Sequence, residues 1–226
     1  MTIDLYLVQG VLAGGMLLAA FFSVGRKRLP VFLRHYAASS ACLAGIIAVN
    51  ALRSAHPAEY AGAVATVVLK VGLIPLGILA TARRCGDTMR LKAVTRPVLS
   101  YALAAAAVGG AYLLARRVPL ALAAPGTASS AVPLAGLLFV ALGLILLGFL
   151  ILIVRRDLYS QIIGFLTLEN GIAAFAVVAI GGAPFLMEMG IFAVIASGVV
   201  LMAILSGQVH EIYRTHDTDT LRHLID

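Results

Sequence analysis

The sequence predicts an all-α integral membrane protein of about seven transmembrane helices, with the N-terminus outside the cell and the C-terminus in the cytoplasm. Hydrophobic residues make up 62% of the 226 residues and charged residues only 12%, whereas soluble domains are about a quarter charged. The mean hydropathy is +1.03. A soluble fold of this size has too little interior to bury so much apolar surface, so lipid is the predicted surrounding.

Seven apolar stretches reach the length of about 20 residues that a helix needs to cross a bilayer. They occupy residues 3–23, 31–51, 60–82, 98–115, 133–154, 158–180 and 184–206. Because the stretches lack the alternation of a membrane barrel, helices are predicted. No basic segment precedes the first stretch, and a basic run from Arg26 to Arg28 follows it. That is the reverse of a secretory signal, so this stretch is predicted to remain as a spanning helix.

Composition divides the chain into four parts. Residues 118–132 are rich in alanine, glycine and serine and are predicted to link a four-helix N-terminal part, 1–117, to a three-helix part, 133–206. Residues 207–226 form a polar tail. Small residues at Gly10 and Gly14, at Gly72 and Gly77, and at Gly143 and Gly148 favour close helix packing.

The distribution of basic residues predicts the orientation. The first, third and fifth connections and the tail hold most of the lysines and arginines, and the opposite side holds only Arg53, Arg116 and Arg117. An excess of Lys and Arg marks the cytoplasmic side, so we expect a multi-pass protein of the cytoplasmic membrane. The net charge of +7 lies in these short connections, where lipid headgroups and topology account for it, and no nucleic-acid partner is expected.

Glu169 is the strongest candidate for a functional residue, because it falls in the middle of the sixth stretch. A charge at this depth costs roughly 2.5–3.5 kcal/mol on insertion scales, and burial disfavours the charged form of a carboxyl group. Glu169 is therefore predicted to hold and release a proton. The alternative is a structural hydrogen bond between helices, to Asn50 or Lys70.

Two further ionisable residues lie within the spans. Lys70 is near the middle of the third stretch, five residues before Pro75, which frees a backbone carbonyl and disturbs the helix. It is predicted to take part in proton transfer or to act as a fixed counter-ion. Glu188 lies about one turn into the seventh stretch, either as the exit of a proton path or as an acidic residue near a helix N-terminus.

The remaining polar residues offer little chemistry of their own. Asn170 and Asn50 are expected to support the three charges. The five histidines lie in or beside connections, and no facing pair predicts a haem. No phosphate-binding loop, thiol cluster or nucleophile–base pair is present either, so no cofactor or metal is predicted.

Two motifs in the last helices resemble a known family. The runs GFLTLENG at 164–171 and GGAPFLMEMG at 181–190 look like those of hydrogenase-4 component E, a membrane subunit of group 4 [NiFe] hydrogenases and formate hydrogenlyase-type complexes. Residues 133–206 also resemble subunit K of respiratory complex I and the C subunit of Mrp-type antiporters. In those families buried glutamates are taken to form part of a hydrated axis of charges. Glu169 matches the first glutamate, whereas Ile195 stands where the second is expected.

The resemblance implies a subunit without its own redox centre, an accessory part of an oxidoreductase complex. Implied partners are antiporter-like and quinone-module-like membrane subunits and a peripheral hydrogenase arm, in a hetero-oligomer. Glu169, Lys70 and Glu188 would then contribute to a proton or Na⁺ path coupled to electron transfer. A purely structural anchor with a static Lys–Glu lock remains the alternative. A free-standing transporter is disfavoured, since no inverted repeat is evident.

Overall fold

A computed structural model describes residues 5–54, 57–84, 90–91, 96–117 and 131–180. The elements along this part of the chain are all helices. In order they are α1 (Leu5–Ser23), α2 (Leu29–Ser54), α3 (Pro57–Thr66), a π-helical segment (Val67–Leu73), α4 (Ile74–Arg84), α5 (Pro97–Arg117), α6 (Ala131–Val154) and α7 (Leu158–Ile180).

Six helical stretches within the described ranges are long and apolar enough to cross a membrane. They confirm the predicted fold class and the first six predicted spans. The third span, Glu59–Arg83, runs through α3, the π-helical segment and α4. The predicted seventh span at 184–206, which contains Glu188, and the polar tail lie outside the described residues.

The helices pack around α2, α6 and α7. Helix α6 packs against α7, α5 and α1, while α2 packs against α1, α7 and the third span. The packed faces carry fully buried apolar side chains, among them Met16, Phe32, Leu43, Ile46, Leu144, Leu147, Ile151, Ile163 and Leu166. This arrangement places α7 between α6 on one side and α2 on the other.

Helices α6 and α7 approach each other closely through glycine. A Cβ atom added at Gly148 would lie 2.6 Å from the backbone nitrogen of Leu168, and one at Gly171 would lie 2.8 Å from that of Ile145. Real Cβ atoms do not approach backbone atoms so closely. The close packing predicted at Gly148 is therefore confirmed.

The same prediction is wrong at Gly10, Gly14 and Gly77 for the part of the chain that the structure describes. A Cβ atom added at any of the three would meet no described atom within 4 Å, and one at Gly72 would meet the carbonyl oxygen of Val67, in its own span, at 3.8 Å. Small residues at this spacing allow close approach, but they do not determine which helix comes near. Helix α1 instead packs on α2 and α6 through a different face, which includes Ala13, Met16 and Ala20.

Three connections meet at one end of the bundle, which we call the basic end: residues 24–28, 90–91 and 155–157. The Leu91 N–H donates to the carbonyl of Lys27 at 2.8 Å, beside an antiparallel bridge between Arg28 and Arg90. Nη2 of Arg155 donates to the carbonyl of Val24 at 2.6 Å and to that of Arg26 at 2.6 Å. The first, third and fifth connections thus lie together, as the charge pattern requires. That this end faces the cytoplasm stays a prediction.

Replacing Arg155 with lysine is expected to lower the free energy of unfolding by about 1–2 kcal/mol. The planar guanidinium reaches two carbonyls from one nitrogen, and a lysine ammonium on a different stem does not reproduce that geometry. The exposed neighbour Arg156 provides the matched control, since Arg156→Lys should change stability by less than about 0.5 kcal/mol. Denaturant unfolding in detergent measures both, and equal values for the two variants would contradict the expectation.

Candidate functional site

Lys70 and Glu169 form a buried ion pair between the third span and α7. Nζ of Lys70 is in direct contact with Oε2 of Glu169, and the two residues are 1% and 2% exposed. They are 99 positions apart in the sequence, so the contact exists only in the folded bundle. The structure thus brings together two of the three charges that the sequence placed inside the spans.

Asn170 and Ser40 continue the pair as a hydrogen-bonded chain. Nζ of Lys70 donates to Oδ1 of Asn170 at 2.8 Å, and Nδ2 of Asn170 donates to Oγ of Ser40 at 2.9 Å. The amide therefore accepts from the lysine and donates to α2. All four side chains are buried, and a buried polar network of this kind fixes the relative positions of the helices that supply it.

The backbone around Lys70 is a π-helix, from Val67 to Leu73. The N–H of Ile74 donates to the carbonyl of Leu69, five residues back. At the same spacing of five residues, the next donor along the chain would be Pro75 and its acceptor the carbonyl of Lys70. Proline has no N–H, so this hydrogen bond is not made. The disturbance expected from the proline therefore takes the form of a widened turn centred on Lys70. Segments of this kind are rare and are frequently found at functional sites.

Tyr36 of α2 is a buried neighbour of the ion pair that sequence reasoning missed. Its side chain is 2% exposed. The hydroxyl lies beside Ser40, which follows Tyr36 by one turn of α2, and it is close enough to Glu169 to feel the charge of that carboxylate. Tyr36 and Ser40 share one helical face at a spacing of four residues. This four-residue spacing is the only feature of the sequence that could have pointed to Tyr36 and Ser40. Hydroxyl side chains are common in apolar helices, so the spacing alone does not predict a site.

The other predicted site residues lie elsewhere. Nδ2 of Asn50 donates to Oε2 of Glu59 at 3.2 Å. Asn50 is ten residues beyond Ser40, about 15 Å along the axis of α2, so it supports a contact near the far end of the bundle rather than the ion pair. Glu188 is outside the described residues.

A second set of buried charges lies at the basic end. Oδ1 of Asp157 accepts from the N–H of Ser160 at 2.8 Å and so caps α7. Burial raises the pKa of the Asp157 carboxyl, with the hydrogen bonds from Ser160 and the charge of Arg155 acting in the opposite direction. Burial also lowers the pKa of the Arg155 guanidinium, whose carbon lies 5.7 Å from the centre of the Phe32 ring.

The chemistry available at this site is that of proton binding. Carboxyl and amino side chains are residue types whose protonation depends on hydration and on neighbouring charges. Among the described residues, no three His, Cys, Asp and Glu side chains come together in a way that would hold a metal ion.

Comparison with known proteins finds similarity to two relatives and to one family model. The chain is 30% identical to hydrogenase-4 component E of Escherichia coli over 207 residues, 92% of this chain and 91% of that protein. It is 29% identical to the uncharacterized protein Rv0085 of Mycobacterium tuberculosis over 216 residues, 95% of this chain and 94% of that one. Residues 136–225 match the family model for NADH-ubiquinone/plastoquinone oxidoreductase chain 4L. No solved structure matches the chain at a significant level.

Proposed function

The chain belongs to the hydrogenase-4 component E family, and we propose that it is a membrane subunit, without its own redox centre, of a hydrogenase or complex I-like assembly. In this role the Lys70–Glu169 pair contributes to a proton path coupled to electron transfer elsewhere in the complex. The observation that carries the proposal is the ion pair, buried near the middle of the third span and of α7 and joined by Asn170 to α2.

The energetics of a buried ion pair favour a functional role over a purely structural one. Taking both charges out of water costs several kcal/mol per ion, and well-packed apolar residues of similar volume often give an equal or greater stability. Stability alone therefore gives little reason to place Lys70 and Glu169 in the bundle. Two groups that share a proton, by contrast, provide a site whose charge changes with hydration or with a neighbouring charge.

The proposed role requires contacts with other subunits of the assembly. We propose that the part matched by the oxidoreductase chain 4L model, residues 136–225, contacts antiporter-like and quinone-module-like membrane subunits. Within the described residues, α1 and α5 pack against α6, α2 packs against α7, and the third span supplies Lys70. The complex lies in the cytoplasmic membrane with a peripheral hydrogenase arm, and the basic end faces the cytoplasm, as the excess of Lys and Arg favours.

The second candidate function is a structural anchor in which the same ion pair is a static lock between the third span and α7. The hydrogen bonds to Asn170 and Ser40 favour it, because they hold the pair in one geometry. The two functions differ in what happens when the carboxyl is lost but the complex still assembles.

Glu169→Gln is expected to abolish most proton translocation while electron transfer by the complex continues. Glutamine retains the size of the side chain and one oxygen that can accept from Lys70, which also keeps Asn170 as a partner, but glutamine cannot bind a proton. The measurement uses inverted membrane vesicles given hydrogen as the reductant. A pH-sensitive dye reports proton uptake, which is normalised to electron transfer and to the amount of assembled complex.

Glu59→Gln is the matched control, because Glu59 accepts a hydrogen bond from Asn50 away from the ion pair. This variant should translocate protons as the unchanged protein does. A double variant, Lys70→Met with Glu169→Met, removes both charges without leaving one unpaired and should assemble but not translocate. Normal translocation per electron in an assembled Glu169→Gln complex would reject the relay and leave the anchor.

A further inference from the structure

One face of α2 connects the two sets of buried charges. Phe32, Tyr36 and Ser40 follow one another at intervals of four residues and are all buried. The Ser40 end reaches Asn170 and the ion pair. The Phe32 end reaches the Arg155 guanidinium at the basic end. Tyr36 lies between them, with its hydroxyl beside Ser40 and within electrostatic range of Glu169.

Asp157 provides a proton-binding group at the basic end of this face. One carboxylate oxygen caps α7, and the other, Oδ2, is buried without a hydrogen-bond partner among the described residues. Nε and Nη1 of Arg155, two residues away, are in the same condition. Capping uses Oδ1, and the side chain of Ser160 and the charge of Arg155 act on the carboxyl as a whole, so Oδ2 remains available to bind a proton. Asp157 is 8% exposed as a whole residue, so it lies close to the surface of the basic end although Oδ2 itself is buried.

We propose that Asp157 and Tyr36 form the access route by which protons pass between the basic end and the Lys70–Glu169 pair. The route deepens the proposed function and rests on it. Asp157 precedes Glu169 by 12 residues, about 18 Å along α7. Tyr36 precedes Ser40 by one turn, about 6 Å along α2, and its side chain extends further towards the basic end because helical side chains point towards the helix N-terminus.

The transfer conserves protons and charge. A proton leaves the Asp157 carboxyl for water, which carries it to the phenolic oxygen of Tyr36. As that oxygen gains the proton, its own hydroxyl proton passes through a second water to a Glu169 oxygen, because the hydroxyl has no direct hydrogen bond to Glu169. Asp157 ends as a carboxylate and Glu169 as a carboxylic acid, while Tyr36 is neutral before and after. No electron moves in this step.

Each residue also has a structural role, which conservative variants retain. Asp157→Asn keeps the side-chain oxygen that caps α7, because Asn is as good an N-cap as Asp, but it cannot release a proton from a carboxyl. Tyr36→Phe keeps the ring that packs on α2 and removes only the hydroxyl. A structural role would therefore leave both variants close to the unchanged protein.

The test measures proton translocation per electron in the intact complex, in hydrogen-driven inverted vesicles with a pH-sensitive dye. Asp157→Asn and Tyr36→Phe are each expected to reduce it by about a hundredfold, the lower end of the range for loss of a positioned proton-transfer group. Asp157→Glu, which restores a carboxyl, should recover most of the loss. Tyr159→Phe, which removes another buried tyrosine hydroxyl near the start of α7, should have no effect.

The outcomes separate this inference from the proposed function. If Glu169→Gln is defective while Asp157→Asn and Tyr36→Phe translocate normally, the access route is wrong and the relay stands. Normal translocation in Glu169→Gln would reject the relay itself. Should Asp157→Asn fail to assemble, Asp157→Ser, which also caps a helix without a carboxyl, replaces it, and normal translocation in that variant overturns the route.

Discussion

Replacing Lys70 with methionine is expected to lower the free energy of unfolding by about 3–5 kcal/mol, because it leaves a buried carboxylate without its counter-ion. Lys70 is 1% exposed and Glu169 2% exposed, so water does not substitute for the lost ammonium group. Asn170 also loses the donor that its Oδ1 accepts from. Denaturant unfolding of the detergent-solubilised protein measures the change.

Adding Glu169→Gln to Lys70→Met should restore most of that stability, to within about 1–2 kcal/mol of the unchanged protein, because no charge then remains buried without a partner. Lys27→Met provides the control, since Lys27 is exposed at the basic end and should shift stability by less than about 0.5 kcal/mol. Equal losses in the single and the double variant would mean that the two residues do not act as a pair in the folded protein.

The membrane fold could be predicted because its signal is local. Each of the first six spans is a continuous apolar stretch of bilayer length, and hydrogen bonding within one helix satisfies its backbone without reference to any neighbour. Glu169 and Lys70 could be identified for the same reason: a charged residue within such a stretch is conspicuous before any contact is known.

What the sequence could not supply is pairing. Nothing in the residues near Glu169 indicates that Lys70 rather than Asn50 is its partner, because the choice depends on which helices pack on α7. Ser40 was missed for a related reason. A serine or threonine hydroxyl in an apolar helix usually bonds to its own backbone, as Thr66 and Thr167 do here, and only the neighbouring helix distinguishes Ser40 from them.

The π-helical segment and the glycines likewise show that local residue types predict where a feature occurs, whereas its form depends on the neighbouring helix. Pro75 predicts a disturbance in the third span, but whether the turn kinks or widens depends on where Lys70 finds its partner. The spacing of Gly10 and Gly14 predicts a helix face of small residues, but it does not identify a helix that packs on that face. At Gly148 and Gly171 the neighbouring helix is identified, and the glycines there set the distance between α6 and α7.

Alanine at Gly148 or at Gly171 is accordingly expected to lower the free energy of unfolding by about 3 kcal/mol, the upper part of the range for overpacking. A Cβ atom at Gly148 would meet the backbone nitrogen of Leu168 at 2.6 Å, and one at Gly171 would meet the carbonyl oxygen of Ala141 at 2.9 Å. A side chain can rotate away from a new methyl group, but backbone atoms in a packed helix cannot, so the two helices must move apart.

Gly109→Ala in α5 is the matched control and should act in the opposite direction. A Cβ atom there meets no described atom within 4 Å, and alanine in an open helix position is favoured over glycine by roughly 0.5–1 kcal/mol. If all three variants changed stability equally, the close contact between α6 and α7 would not be a determinant of the fold.

Because Gly171 directly follows Asn170 and Glu169 on α7, separation of the helices at Gly171 should also displace the ion pair. Gly171→Ala is therefore expected to reduce proton translocation as well as stability, whereas Gly109→Ala should leave translocation unchanged.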